Sequence, residues 1–526
     1  MIINLYNDNI ERDQVETLKR VDNLMGSFSD INEYSIIIGG DWNFILDKDL
    51  DSYGGNPKIK LNSLAEHIKL KNKYMLCDIY RIRNQGVKRF TFRQRTPCLR
   101  RRLDRFLISN TLQSNVNSCD ILSSLLSDHS PIFVVIKTCD GDFKKGKSYW
   151  KFNKALLEDP IYCEGMRRVI NEKKVEYAAM DYQVRWELVK YEIRKFTMDY
   201  SKKRARVKRI LLAQNEDITK NYETKSRNEH MISDEVYMKA KHDIELYHLE
   251  KVKGNILRSK CQVYEEGEKS TKFFLGLEKK KAINGTIDML LGDDDVEIND
   301  YKPILDEIKK FYMQLFKKRD LNGSGTSSFL DGLGLPKISE IDRLMCEEEV
   351  TLEDLKEAML SMSDDKSPGN DGITKEFYNH FWDEVDVLYF EGLMSSKQKE
   401  ELSTSQRQAI IKLLEKNDKD RRFIKNWRPI SLLNIDIKIL NKALACKLKR
   451  VLKSIVGSNQ TAYVEGRFIG EATRLISDIL EVTKECNIPG YMIMMDVEKA
   501  FDSMDHSFSL EVLRVFGFGE NFRKWI

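Results

Sequence analysis

Two stretches of this chain place carboxylates where chemistry needs them. In SIIIGGDWNF a β-branched run over Ser35–Ile38 ends in Gly39–Gly40 and leads into Asp41 and Asn43. Residues two apart on extended chain point to the same side, so a carboxylate and an amide face one pocket. Downstream, Thr91–Phe92 precedes RRLDRFLIS, which sets Asp104 inside an apolar run. A carboxylate buried there needs a partner. SDHS then puts Asp128 and His129 before PIFVVIK, a strand-like run. Carboxylates, an amide and an oriented imidazole are the set for metal-assisted phosphodiester cleavage. The ion neutralises the phosphate and one carboxylate activates water, while His and Asn hold the phosphate oxygens. Taken singly, GDWN reads equally as a polar turn.

The second stretch is MIMMDVEKAFD, an apolar run expected to be a strand with Asp496 at its end. Such an end suits a Mg²⁺ ligand, or equally an N-cap for the next helix. Upstream, DDKSPGNDGITKEFY places Lys366, Gly369, Asp371 and Gly372 in a loop opening a helix. QAIIKLLEK and NWRPISLL read as adjoining strands carrying Lys416 and Arg428, two cations suited to a triphosphate or to a solvated hairpin. SNQTAYVEGRFIGEAT adds Gln460 and Arg467 at a turn into a helix.

The elements that must position these groups fall into three textures. Residues 1–137 mix short apolar runs and turns, including NSLAEHIKLKNKYMLCDIY as an amphipathic helix running into a strand. Residues 138–345 have helical spacing and few Gly or Pro, with a basic block at Lys202, Lys203, Arg204, Arg206, Lys208 and Arg209. That block is a solvated helix face, a phosphate-tracking surface or a nuclear-import signal. LNGSGTSS at 321–328 is expected to be a flexible connection. Residues 346–526 alternate helical pieces and strands.

At 526 residues the chain is expected to hold two to four domains, and its +4 formal charge neither requires nor excludes nucleic acid. The nine cysteines contain no CxxC pair, against a zinc module or a disulfide framework and for a reducing compartment. No apolar run reaches the length of a membrane span, and MIINLYNDNIERDQ lacks the apolar core of a signal peptide.

The order GDWN, TF, RRLDRFL, SDHS resembles the second half of the endonuclease/exonuclease/phosphatase fold. KSPGNDGITKEFY, NWRPISLLNIDIKILNKALACKL, QTAYVEGR and MMDVEKAFD resemble the reverse transcriptase of LINE-type non-LTR retrotransposons, and SYWKFNKALLEDPIY and YEEGEKSTKFFLGLEKKKA look like the spacer of the same polyproteins. The resemblance implies a multidomain α/β and α+β chain: a partial β-sandwich over 1–137, a helical linker over 138–345, and fingers with the start of a palm over 346–526. It implies Asp41 as the water-activating carboxylate and Asn43 as a phosphate-orienting amide. Thr91 supports the pocket, Asp104 orients a phosphate-contacting His129, and Asp128 is a metal-side carboxylate. For the polymerase it implies Asp496 as a metal carboxylate and Val497 as a carbonyl ligand. Phe501 stands as sugar gate, Lys416 and Arg428 on the triphosphate, and Gln460, Arg467 and Lys366 on nucleic acid. The family usually has proline where Glu415 precedes Lys416. The implied cofactor is Mg²⁺ or Mn²⁺. The implied partners are an RNA template, a DNA target and primer, and deoxynucleoside triphosphates, in the nucleus and cytoplasm and without a membrane.

Two departures accompany the match. Asn4, Glu11, Glu16 and Glu33, all before Asp41, form no convincing strand motif for the family's metal-binding glutamate, and no paired Asp–Asp follows Phe501. The expectation is a truncated polyprotein in which neither chemistry is complete. The competing expectation is a nucleic-acid-binding remnant without chemistry.

Overall fold

The computed structural model describes residues 1–526 except 30, 32–33, 95–96, 98, 124–126, 138–148, 225–231, 260–286, 293–295, 318–322 and 417. The spacer-like segment 264–282 and Cys98, Cys139 and Cys261 lie outside the described residues. The remaining six cysteines are free thiols. Helix and strand are mixed throughout. The chain divides into two compact units, Met1–Gly146 with Arg204–Glu278, and Lys147–Lys203 with Lys279–Ile526.

In the first unit, β1 (Ile2–Tyr6) and β2 (Ile37–Asp41) pair in parallel. The connecting helix Glu11–Gly26 turns Gln14, Leu18, Val21 and Met25 inward, a helical stripe with one polar member. β3 (Ser52–Tyr53) follows, then the helix Leu61–Lys73 and β4 (Leu76–Asp78), as the helix-to-strand reading expects. β5 (Phe92–Gln94), β6 (Leu99–Arg101) and β7 (Asp104–Ser109) come next. One sheet runs β1-β2-β7-β4, and a second runs β3-β6-β5. β8 (Val116–Ile121) and β9 (Ile132–Ile136) form a hairpin pair. β2 continues through both glycines. A Cβ on Gly39 would lie 2.2 Å from the Phe106 ring, so the strand interior has room only for hydrogen there.

The second unit has one large core. It joins Phe152, Tyr162 and Met166, and Trp186, Val189 and Ile193, to the helices Leu352–Leu360, Lys375–His380, Trp382–Lys399 and Ile435–Ile455. Thr351 and Asp354 form a capping box at one of these starts. The short pair β10 (Leu290–Leu291) and β11 (Glu297–Ile298) is followed by an antiparallel hairpin of β12 (Ala409–Glu415) and β13 (Trp427–Leu433). Leu290, Ile304, Tyr312, Ile424 and Trp427 form a smaller core beside it.

Two expectations about local structure are corrected. The described part of the supposed flexible connection is helical, from Gly323 to Asp331. Leu330 is buried there and Asp331 pairs with Arg514 at 3.1 Å, so tertiary contacts override a Gly/Ser-rich composition. The apolar run ending at Asp496 is not a strand, and Tyr491, Ile493, Met494 and Met495 are exposed. A strand persists only when its N–H and C=O groups find a ladder partner, and none of the described strands pairs with this run.

Candidate active site

The β2–β7 register sets Asp41 opposite Asp104 at the end of the sheet. The strand ladder therefore fixes both carboxylates before any side chain acts. Trp42 N–H donates to the Leu103 carbonyl at 3.0 Å and carries the pairing one step further. Thr91, fully buried, accepts from the backbone N–H groups of Leu103 and Asp104 at 2.9 and 3.0 Å. A bridge between Phe92 and His129 brings the imidazole to the same edge. His129 Nδ1 lies 2.9 Å from Asp104 Oδ2, and Nε2 lies 4.0 Å from Asp41 Oδ2.

Among the described residues, Asp41, Asp104 and His129 are the group of ligand-type side chains close enough to hold a metal, with ligand atoms within 4.8 Å of one another. Burial raises the Asp41 carboxyl above its ordinary range and Asp104 adds to this, while the Asn43 N–H at 2.9 Å works against it. A divalent cation at these two carboxylates would relieve that repulsion, so the donor set fits one. Two oxygens suit a hard ion, and the imidazole is tied to Asp104 through Nδ1 with Nε2 toward Asp41.

The hydrogen bond that His129 Nδ1 donates to Asp104 raises the His129 pKa above 6.5, with Asp104 and Asp41 charge adding and burial opposing. The imidazolium is thus favoured by folding. Its stabilisation is present below the ordinary value and lost as pH rises through the folded one. Asp104→Asn should bring the His129 titration back down toward 6.5. NMR of the imidazole checks this, and an unchanged titration would refute the pairing.

Asn43 sits at φ +55°, in the left-handed region that Asn tolerates. Its side-chain amide donates to the Asn7 carbonyl at 2.7 Å, and its own carbonyl accepts from Gln14 Nε2 at 2.9 Å and Lys60 Nζ at 3.1 Å. Asn7 N–H donates to the Asp41 carbonyl at 2.9 Å. Sequence reading missed Asn7, Gln14 and Lys60. The available signal was Gln14, the polar residue in an otherwise apolar stripe. Asp128 is exposed and does not join the three-residue group.

In the second unit, Leu414 pairs with Arg428 and Glu415 with Trp427. Lys416, two residues beyond Leu414, continues the Arg428 face. Arg428 is exposed and Lys416 half-buried, and Lys416 N–H donates to the Asn426 carbonyl at 3.0 Å. Lys366 is exposed on the loop before the helix Lys375–His380. Arg467 donates to the carbonyls of Gly457, Gln460 and Val456 at 2.6, 2.7 and 2.9 Å and so clasps the turn it belongs to. Gln460 bonds the Ala462 carbonyl at 3.1 Å. Asp496, Val497 and Phe501 are exposed, and the Phe501 ring meets Tyr463 edge-on at 6.0 Å. Asp496 joins no metal-holding group among the described residues.

Residues 414–526 match the family model for reverse transcriptase (RNA-dependent DNA polymerase). Over 498 residues, 93% of this chain, it is 30% identical to the uncharacterized 149 kDa protein of transposon TX1 from Xenopus laevis. The chain spans 37% of that relative's length. An AP endonuclease from Archaeoglobus fulgidus aligns with 26% of this chain and 61% of its own, at 16% identity and a TM-score of 0.23. The AP endonuclease LMAP from Leishmania major aligns with 24% of this chain and 43% of its own, at 23% identity and a TM-score of 0.20.

Proposed function

From a chain that is kin to a transposon-encoded protein along nearly all its length and carries a reverse transcriptase segment, we propose a part of a LINE-type polyprotein that joins metal-assisted DNA nicking to RNA-directed DNA synthesis. The carrying observation is the reverse transcriptase match over 414–526, within which Lys416, Arg428 and Asp496 fall. The β2–β7 register of Asp41 and Asp104 with His129 supports the nicking half. On this reading residues 1–137 are the nuclease-like part, a portion of an endonuclease/exonuclease/phosphatase β-sandwich, and residues 346–526 are fingers with the start of a palm. Residues 138–345 link them in sequence.

In the nuclease part, Asp41 and Asp104 would hold Mg²⁺ or Mn²⁺. The ion supplies charge neutralisation at the phosphate. Asp41 accepts a proton from the attacking water, Asn43, whose amide is bonded to the Asn7 carbonyl, is the phosphate-orienting amide of the family pattern, and Asp104 keeps the His129 imidazole turned and protonated for the phosphate oxygen. In the polymerase part, Lys416 and Arg428 present one cationic face to a deoxynucleoside triphosphate. Two-metal transfer needs carboxylates that hold two ions about 4 Å apart. Asp496 stands alone among the described residues, so residues 1–526 by themselves bind primer–template without extending it.

The test is the full chain with an RNA template and DNA primer. Binding should weaken steeply with salt, and Lys416→Ala with Arg428→Ala should flatten the slope. Salt-insensitive binding would refute the nucleic-acid reading. Mg²⁺-dependent extension abolished by Asp496→Ala would refute the statement of incompleteness.

A further inference from the structure

Lys190 lies on the helix Tyr182–Thr224, more than two hundred residues before the reverse transcriptase match. It is nonetheless 3% exposed, and its ammonium donates to Asp436 Oδ2 at 2.8 Å. Asp436 is wholly buried in the first turn of the helix Ile435–Ile455, just past the end of β13. The same Oδ2 accepts from the Trp186 indole at 3.0 Å and from Gln406 at 3.3 Å. Glu187 is 3.1 Å from Lys190.

The loop 366–373 is seated on this exit from the hairpin. Asp371 N–H donates to Asn434 Oδ1 at 3.2 Å. A Cβ on Gly369 would stand 2.4 Å from the Asn434 nitrogen, so the two backbones are in direct contact. Asn370 donates to Gln408, at the foot of β12, at 3.0 Å, and Lys438 Nζ to the Ser367 carbonyl at 3.2 Å. The loop that carries Lys366 and the hairpin that carries Lys416 and Arg428 therefore meet at one charge set, in which Lys190 and Asp436 are buried and Asp371, Glu187 and Lys438 half-buried.

That set holds more negative than positive groups. Lys190 and Glu187 face Asp371 from one helix and Asp436 and Lys438 from another, while Tyr378 faces it from the helix Lys375–His380. Asp371 Oδ1 accepts from Ile373 N–H at 3.0 Å, whereas Oδ2 is shut off from solvent with no hydrogen-bond partner. An ionised Asp371 would put an uncompensated charge there, and a protonated one would not.

We propose that Lys190, Asp436 and Asp371 form a proton-dependent latch that seats the loop 366–373 on the exit of the β12–β13 hairpin. The latch stands on the geometry above, and that the hairpin it holds carries nucleotide-binding cations rests on the polymerase reading. Burial, and then Asp436, push the Asp371 carboxyl up to about 7 from 3.8. The seated loop keeps its proton to that pH, whereas a released loop loses it in the ordinary carboxylate range. Rising pH between the two therefore favours release, and above the upper value the effect is complete.

The experiment is hydrogen exchange of the full chain from pH 5.5 to 8, corrected for intrinsic rates and read on peptides covering 366–373. Loop opening should increase by roughly tenfold per pH unit at the lower end and level off above about 7. Asp371→Asn should make the profile flat, and Lys190→Met should raise opening at every pH. A flat native profile, or an Asp371→Asn profile with the native slope, overturns the latch. Should Lys190→Met fail to fold, Asp371→Asn still decides. Magnesium dTTP binding is measured alongside. If Arg428→Ala leaves that binding unchanged, the nucleotide-side reading fails while the exchange profile still judges the latch.

Discussion

Arg102→Met should destabilise the first unit by about 3–5 kcal/mol, the cost of breaking a buried ion pair from one side. Arg102 is 1% exposed. Its Nε lies 2.8 Å from Asp51 Oδ1 and its Nη2 lies 2.5 Å from Asp78 Oδ2. Burial alone would raise both carboxyls, but Arg102 beside them wins and holds both below their ordinary range. Their stabilisation is accordingly present above the ordinary carboxylate pKa and lost as pH falls through the folded values. Without the guanidinium, Asp51 keeps Arg81 at 2.5 Å, and Asp78 loses its ion-pair partner. The segment affected is the one that delivers Asp104. Arg102 N–H bonds the Asp51 carbonyl at 2.9 Å, two residues before that carboxylate. Urea unfolding of the full chain, followed by a probe in the first unit, gives the loss. Adding Asp78→Asn to Arg102→Met should recover part of it. A loss under about 1 kcal/mol would mean that the pair is no more than a surface bridge.

The second large effect is expected at Gly372. It holds φ +74°, and a Cβ there would come 2.2 Å from the Trp150 carbonyl oxygen. Its own carbonyl accepts from Phe152 N–H at 2.9 Å. Neither the backbone angle nor the contact leaves space for a side chain. Gly334 is a control in the same unit, since it has φ +58° with nothing within 4 Å of its would-be Cβ. Gly334→Ala should cost only the backbone term, about 1 kcal/mol. Gly372→Ala should cost about 3 kcal/mol or more, because backbone must also move. The two unfolding curves compared side by side are the check. Equal losses would show that the approach of Trp150 is not tight.

Much of the local structure was legible. β12, β9 and the helix Ile435–Ile455 follow from apolar period and β-branching, which depend on near neighbours alone. The pairing of His129 with Asp104 was legible too, since a carboxylate inside an apolar run must find a partner. The strand expected at Asp496 failed for the opposite reason. Apolar residues make a strand only where another strand is present to pair, and residue types carry no record of that. The connection at 321–328 failed similarly, because burial of Leu330 outweighed local composition.

Lys190, Gln14 and Asn7 mark the boundary most clearly. By sequence, Lys190 is one more cation in a charged helix, and Gln14 one polar position in an amphipathic one. Folding brings Lys190 to Asp436 across 246 positions and Gln14 to the Asn43 carbonyl across 29. The sequence by itself determined which residue types could do chemistry, their order, and the elements that carry them, because side-chain chemistry and local period are properties of the chain. Tertiary structure alone decided the β2–β7 register that sets Asp41 against Asp104. It alone decided which polar groups lie buried around those residues, because burial and long-range pairing exist only once distant segments share one interior.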